Sequence, residues 1–363
     1  MRILEKAGRA IAIVGLQFGS EGKGAIAAYL SAAASVCVRI GAANAGHTVM
    51  YNGVPYVMRT IPCGWVNPLT KLVIGISSII SLPVLLKEIT LIEKIEPIRH
   101  RLFIDAHAHV ITDAQIRDEQ ATTLAERISS TSAKSGLGIG MAMSDKVMRS
   151  DRCTFAKDIP VLRPFIVDTV ELLNRELDSD QLIIFEGTQG FGLSLEHGNF
   201  PYVTSRDTTA QALFSGCGVN PYGFDVEVIG VARTYPIRVG GPSGSFGTGS
   251  QEISWDAVAR RAGNVHDITE RTSVTGSVRR VATFSYENVR RACMVNRVSE
   301  IALTFLDHLD AQLYNKEMLS PSALEFIHEL EEKVGVPVGL AKTGPLMTID
   351  FNAYRANMMR RLA

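Results

Sequence analysis

Residues 11–24 read I-A-I-V-G-L-Q-F-G-S-E-G-K-G, and this stretch decides the fold. The apolar run over 11–14 predicts a short buried strand. A Gly-rich turn follows it, and residues 25–31 predict the start of a helix. Strand, Gly-rich loop and helix form the geometry that cradles phosphates. Glycines let backbone N–H groups approach the oxygens, the helix N-terminus adds its positive end, and Lys23 adds a point charge. A strict Walker A pattern has Gly where Gln17 stands and Ser or Thr where Gly24 stands. The plain alternative is a tight turn carrying an exposed Lys.

Outward from the loop, strand-like and helix-like segments alternate without an internal repeat. That pattern predicts an α/β fold with a mainly parallel central sheet flanked by helices and a P-loop-like nucleotide site. Strands are expected over 36–40, 72–76, 181–185, 226–231 and 301–305. Helices are expected over 113–127, 165–177, 207–217 and 323–333, with another opened by Pro83. Asn52-Gly53 predicts a hairpin turn. The run G-G-P-S-G-S-F-G-T-G over 240–249 reads as a surface loop, and 132–140 as a mobile Gly/Ser segment.

The chain has 363 residues, 46% of them hydrophobic, enough to bury a sizeable core. Lys and Arg balance Asp and Glu, so nothing suggests direct nucleic-acid binding, and anionic substrates must be held by local positive groups. Cys37, Cys63, Cys153, Cys217 and Cys293 are odd in number and lack C-x-x-C pairing, which suits reduced thiols better than a disulfide frame or a zinc site. The longest apolar stretch, 72–86, is broken by Gly75, Ser77, Ser78, Ser81 and Pro83, too short to span a bilayer. The start of the chain lacks a signal-peptide pattern. A soluble, cytoplasmic protein with no membrane association is expected. The D-A-H-A-H run over 105–109 admits a metal-hydrolase reading, but nothing completes such a site, so a strand end and loop are expected.

The loop does not stand alone. It is followed by N-A-G-H-T (44–48), I-P-C-G (61–64), S-G-L-G-I-G (135–140), F-E-G-T-Q-G (185–190), P-Y-V-T-S-R-D-T-T-A (201–210) and K-T-G-P (342–345). In order and wording these motifs resemble adenylosuccinate synthetase over nearly the whole chain, as one domain spanning 1–363. That resemblance implies a ligase that joins L-aspartate to the 6-position of a purine monophosphate. A nucleoside triphosphate activates the 6-oxygen, with Mg2+ as cofactor.

The resemblance also implies roles. Gly22, Lys23, Gly24, Gly46, His47 and Thr48 match the family's triphosphate contacts, joined near the donor base by Phe305, Asp307, Lys342, Gly344 and Pro345. Ser20, Asn44, Ser135, Gly136, Gln189 and Thr204 match the monophosphate site, and Arg149 matches an Arg that reaches the partner's site in a homodimer. Val274, Thr275, Gly276 and Arg279 match the aspartate-binding loop; an Arg fork suits a carboxylate. The Gly46 carbonyl and the Ser20 position match the magnesium ligands, while Ser20, Lys23 and His47 match the catalytic positions. Without that context, His47 reads as a structural residue and Arg149 as a surface residue.

The departures carry information. The family's loop reads G-D-E-G-K-G, its Asp acting as catalytic base; here Ser20 stands there, and a hydroxyl is a poor proton acceptor. The same change marks the bacteriophage branch of the family, which acts on dGMP and makes the succino precursor of diaminopurine nucleotide. A smaller, uncharged Ser leaves room for guanine's 2-amino group. Ser277 replaces an Arg near the ribose 2'-hydroxyl, compatible with deoxyribose, and Phe305 replaces a Lys that recognises the guanine of GTP. An aromatic ring can stack on a purine without reading its edge, so ATP or dATP is the expected donor. The alternatives are a conventional synthetase using IMP and GTP, and a non-catalytic nucleotide-binding regulator. The joint retention of Lys23, His47, Gln189, Thr275 and Arg279 speaks against the regulator. The chain is shorter than the usual bacterial form, with peripheral helices expected to be lost.

Overall fold

A computed structural model describes residues 8–123, 136–272 and 276–362. Its centre is a ten-stranded sheet. From one edge to the other the strands run Thr348–Asp350, Val338–Lys342, Glu300–Thr304, Asp225–Arg233, Arg9–Gly15, Leu182–Glu186, Val36–Arg39, Lys71–Ile74, Leu102–Asp105 and Ile166–Val167. All neighbours pair in parallel except the edge strand Thr348–Asp350, which is antiparallel. The strand that leads into the Gly-rich loop is therefore central, paired with Leu182–Glu186 on one side and Asp225–Arg233 on the other.

Near-continuous apolar strands are buried on both faces because helices cover both. Side chains alternate, so Ala10, Ala12 and Val14 face one core and Ile11 and Ile13 the other. The first core is closed by Leu172, Leu173 and Leu177 of the helix Thr169–Asp178 and by Ile327 and Leu330 of Pro321–Val334. The second is closed by Ile26 of Lys23–Ser31, Ile89 of Leu82–Ile92, and Trp65. The expected hairpin is present: His47–Tyr51 pairs with Val54–Met58, and Asn52 and Gly53 both have the positive φ of a type I′ turn.

Three helices differ from the sequence reading. The one expected over 165–177 begins at Thr169, because Asp168 caps it by accepting from the Glu171 N–H; Ile166–Val167 is instead the edge strand. The one expected over 207–217 is only Ala210–Ser215, since Asp207 spends its carboxylate on Thr208 and Thr209 and Thr209 takes the cap. The one expected over 113–127 is seen as Asp113–Gln120, with 124–127 outside the described residues. No helix among the described residues is long and apolar enough to cross a membrane.

Candidate active site

Parallel sheets bind ligands beyond the carboxyl ends of their strands. Here those ends carry nearly every motif. The Gly-rich loop follows Gly15, the Asn44 loop follows Arg39, Gln189 follows Glu186, Phe305 and Asp307 follow Thr304, and Gly344 and Pro345 follow Lys342. The fold thus brings residues from five segments to the carboxyl ends of the strands.

The loop is shaped from beneath by Glu21. Its buried carboxylate accepts from the backbone N–H of Gln17 (3.2 Å) and Gly19 (2.7 Å), and pairs with Lys23 Nζ at 2.6 Å. These two N–H groups and the ammonium belong to the set expected to hold phosphate. Glu21 fills that inner nest, so the outer face and the helix start remain for a triphosphate. Gly22 caps the helix Lys23–Ser31 with φ 94°, a conformation glycine adopts at little cost. Gly190 lies so close that a Cβ would fall 2.3 Å from Glu21 Oε1. Ser20 is exposed at the rim, in the left-handed region at φ 58°.

Beside the loop, His47 opens the hairpin. Its Nδ1 is 2.5 Å from Glu186 Oε1, and Glu186 also accepts from Cys63 N at 2.7 Å and faces Arg39 Nη1 at 3.4 Å. Burial, then the Arg39 charge, lowers the His47 pKa to about 4. Burial alone would raise Glu186, but Arg39 and His47 outweigh it and hold the carboxylate below its usual range. A neutral ring beside an ionised carboxylate puts its proton on Nδ1. His47, Cys63 and Glu186 place ligand atoms within 4.8 Å of one another. Burial keeps the Cys63 thiol protonated and Arg39 already faces the carboxylate, so this network suits hydrogen bonding and not a cation. The Asp105–His109 stretch is structural: Asp105 accepts from Thr169 and His107, and His109 Nε2 is 3.3 Å from Gln115 Oε1.

The donor-base residues gather at the next strand ends. Phe305 has φ 58°, and the Arg233 guanidinium covers one face of its ring at 3.9 Å, so at most the other face is free to stack. Asp307 Oδ1 is buried without a hydrogen-bond partner, and burial raises its pKa to about 6. Burial lowers Lys342 to about 8 against the opposing pull of Asp307; its Nζ donates to the Pro345 carbonyl at 2.9 Å. Gly344 packs on Asn315.

The monophosphate residues are more dispersed. Gln189 sits beside Gly19 with φ 64°, and Thr204 N donates to the Leu193 carbonyl at 2.8 Å. Asn44 lies in the loop before His47, where Arg39 Nη2 donates to the Ala45 carbonyl at 3.0 Å. Thr48 is exposed and Gly46 half-buried. Gly136 packs on Gln120. Arg149 ends the helix Ile139–Met148 in an exposed left-handed cap. Ser135, Val274 and Thr275 lie outside the described residues; Gly276 and Arg279 are described, Arg279 N donating to the Glu270 carbonyl at 2.9 Å.

Sequence reading missed the residues that hold these groups: Glu21, Arg39, Glu186, Arg233 and Glu270. It also missed Arg206, whose pKa burial lowers to about 10, and Lys146, lowered by burial and by the Arg206 charge. The Arg206 guanidinium donates to the Ser77 carbonyl at 3.3 Å. A signal existed for several: Arg39, Glu186 and Arg233 each end an apolar strand with a charge that reaches the interior.

The sequence profile of the adenylosuccinate synthetase family matches residues 12–155 and 152–313. An adenylosuccinate synthetase of Methanocaldococcus jannaschii is 41% identical over 347 residues, 93% of this chain and 95% of its own. That of Methanococcus aeolicus is 39% identical over 347 residues, 93% of this chain and 98% of its own. These archaeal relatives align over almost their full lengths, so a compact chain is no mark of the phage branch. The structure also superposes on the cyanophage S-2L succinoaminodeoxyadenylate synthetase bound to dGMP and dATP as an energy donor, with TM-score 0.77, 29% identity and 94% of each chain covered. The fully ligated adenylosuccinate synthetase of Plasmodium falciparum gives TM-score 0.79 at 23% identity, covering 94% of this chain and 99% of its own, a likeness of fold.

Proposed function

The chain belongs to the adenylosuccinate synthetase family, a carbon–nitrogen bond-forming ligase, and from that premise we propose that it joins L-aspartate to the 6-position of dGMP with ATP or dATP as donor. The observation that carries this reading is Ser20. It stands exposed at the rim of the nucleotide loop, uncharged, where the family has an Asp. The dGMP- and dATP-bound cyanophage enzyme of the same fold supports it. So does Phe305, an aromatic platform where the family reads guanine with a Lys.

In this reading Lys23 exchanges its pairing with Glu21 for the triphosphate while the 6-oxygen attacks the γ-phosphoryl group, and the aspartate amine then displaces the 6-phosphoryl group. Positioning and charge stabilisation supply most of the acceleration. His47 reaches the transferring phosphate through Nε2, which must first gain a proton, because Nδ1–H is committed to Glu186. Without the family's Asp, a water or the aspartate substrate takes the proton from ring nitrogen 1. The Gly46 carbonyl and Ser20 hydroxyl are neutral oxygens. They suit Mg2+ held chiefly by the phosphates, where it would offset their charge. The product is the N6-succino-2-amino-2'-deoxyadenylate that diaminopurine DNA synthesis in a phage requires. Arg149 completes the partner's site in a homodimer in the host cytoplasm.

A second reading, IMP with GTP, is favoured by the names of the archaeal relatives and by Asp307, whose free carboxylate oxygen suits guanine's N–H donors. A phosphate-release assay with aspartate and Mg2+ separates them, crossing dGMP, GMP and IMP with ATP, dATP and GTP. Turnover confined to dGMP with an adenine donor supports the proposal. Turnover confined to IMP with GTP overturns it.

A further inference from the structure

Arg233 ends the strand Asp225–Arg233 with its side chain fully buried and its backbone clamped. The Gln17 amide accepts from its N–H at 3.0 Å and donates to its carbonyl at 3.0 Å. Thr234, next in the chain, donates through its hydroxyl to the Phe305 carbonyl at 2.7 Å. The guanidinium then touches three different loops. Nη1 donates to the Ser20 carbonyl at 3.2 Å and to Glu270 Oε2 at 3.1 Å, and Nη2 donates to Glu270 Oε1. Its flat face lies 3.9 Å over the Phe305 ring, close enough for a cation–π contact.

These contacts divide by loop. Ser20 belongs to the nucleotide loop. Glu270 begins the stem of the aspartate loop, where its carbonyl accepts from Arg279 N at 2.9 Å. Phe305 is the platform beside Asp307 and Lys342. Only a planar fork makes all three contacts: two parallel N–H groups grip the carboxylate, a shared one reaches the carbonyl, and the π-face covers the ring. A lysine offers one point charge and no plane. Glu270 is held below the usual carboxylate range by Arg233 against the opposing effect of burial, so the pair is ionised.

We infer that Arg233 is a positioning residue that sets the aspartate loop and the donor-base platform relative to the nucleotide loop, and so controls affinity for aspartate and donor together. This rests on the reading above of which loop takes which substrate. Glu270 is the arm toward aspartate and Phe305 the arm toward the donor base. Arg233 itself touches no substrate in this account.

The test measures KM for aspartate and for the donor, kcat, and the melting midpoint, in Arg233→Lys, Glu270→Gln and Phe305→Leu. It uses whichever purine monophosphate and donor the wild-type enzyme turns over. The wild-type row alone then judges the dGMP reading, and the variant ratios judge Arg233. Arg233→Lys is expected to raise both KM values about tenfold, the scale of one lost charged hydrogen bond or stacked pair. Glu270→Gln is expected to raise the aspartate KM alone, and Phe305→Leu the donor KM alone. The double variant Arg233→Lys/Glu270→Gln should bind aspartate no worse than Arg233→Lys, because the two act through one contact. A lower melting midpoint with both KM values within about twofold of wild type would make Arg233 merely structural. Equal effects of Glu270→Gln and Phe305→Leu on both KM values would also overturn the inference, since the two arms would not be separate.

Discussion

Glu186 accepts from His47 across 2.5 Å, in a place from which solvent is almost wholly excluded. The contact fixes which ring nitrogen carries the proton, and Arg39 supplies the counter-charge that keeps Glu186 ionised. Removing one partner of a buried charge network costs about 3–5 kcal/mol. Glu186→Gln, which strands Arg39, should lower the melting midpoint accordingly. It should also reduce kcat by about tenfold or more, short of the roughly 10²–10⁴ expected when His47→Ala removes a proton donor outright. Equal kcat in Glu186→Gln and wild type would remove Glu186 from the catalytic account.

The same pair sets a pH dependence. His47 titrates near 4 in the folded protein against 6.5 when free. Between those values the unfolded chain binds more protons, so stability should fall as pH drops through this window. Asp307 acts in the opposite sense. Its folded pKa of about 6 lies above its ordinary 3.8, so the folded state holds the extra proton there and its contribution declines as pH rises from 3.8 to 6. Denaturation midpoints of His47→Gln and Asp307→Asn against pH should show the two slopes disappearing separately.

Asp307 should also make the choice of donor depend on pH. A neutral carboxyl can donate to adenine N1 while accepting from its amino group; an ionised one can only accept, as guanine's N–H donors prefer. With a pKa of about 6, the ratio of kcat/KM for ATP over GTP should rise as pH falls from 8 to 6. Asp307→Asn, permanently neutral, should flatten that dependence. A ratio that stays constant in the wild type would show that Asp307 does not read the base edge.

Gly190 is expected to tolerate nothing larger. In Gly190→Ala the new carbon would meet Glu21 Oε1 at 2.3 Å and the Gly19 nitrogen at 2.5 Å. Neither atom can yield without opening the nest that shapes the loop. Overpacking of this kind costs about 1–3 kcal/mol. The larger effect should be on the donor KM, measured by initial rates, because the loop itself must shift.

Arg149 offers a test of assembly. It is exposed beside Val147 and Met148, which are 70% and 75% accessible in the single chain, an apolar rim suited to a second subunit. In the proposed homodimer, Arg149→Ala and Lys23→Ala should each be nearly inactive alone, yet mixing them after mild dissociation should restore activity. One site of the mixed dimer then holds both residues. No recovery on mixing would place Arg149 in its own subunit's chemistry.

Much of this was legible in the chain. The Gly-rich loop, the buried strands and the hairpin at Asn52-Gly53 follow from apolar runs and turn residues, whose signals are local. Helix starts at Thr169 and Ala210 were misplaced because Asp168 and Thr209 override the apolar pattern that precedes them. The supports of the site were invisible for a different reason. Glu270 finds Arg233 across 37 positions, and Glu186 finds His47 across 139. In sequence each is one charge after an apolar run; only pairing strands from distant parts of the chain shows that the charges face one another.

The position of the strand Arg9–Gly15 has a further consequence, for how the protein is made. It is made long before its two neighbours, Leu182–Glu186 and Asp225–Arg233. At about 5–20 residues per second, its second partner follows on the order of ten seconds or more later. Until Leu182–Glu186 emerges, an apolar strand that is paired on both edges in the finished molecule has neither of its partner strands. Contacts so distant in sequence also close slowly. The nascent chain should therefore depend on chaperones that hold this strand, and translation products truncated before its partners should aggregate instead of forming a working nucleotide loop.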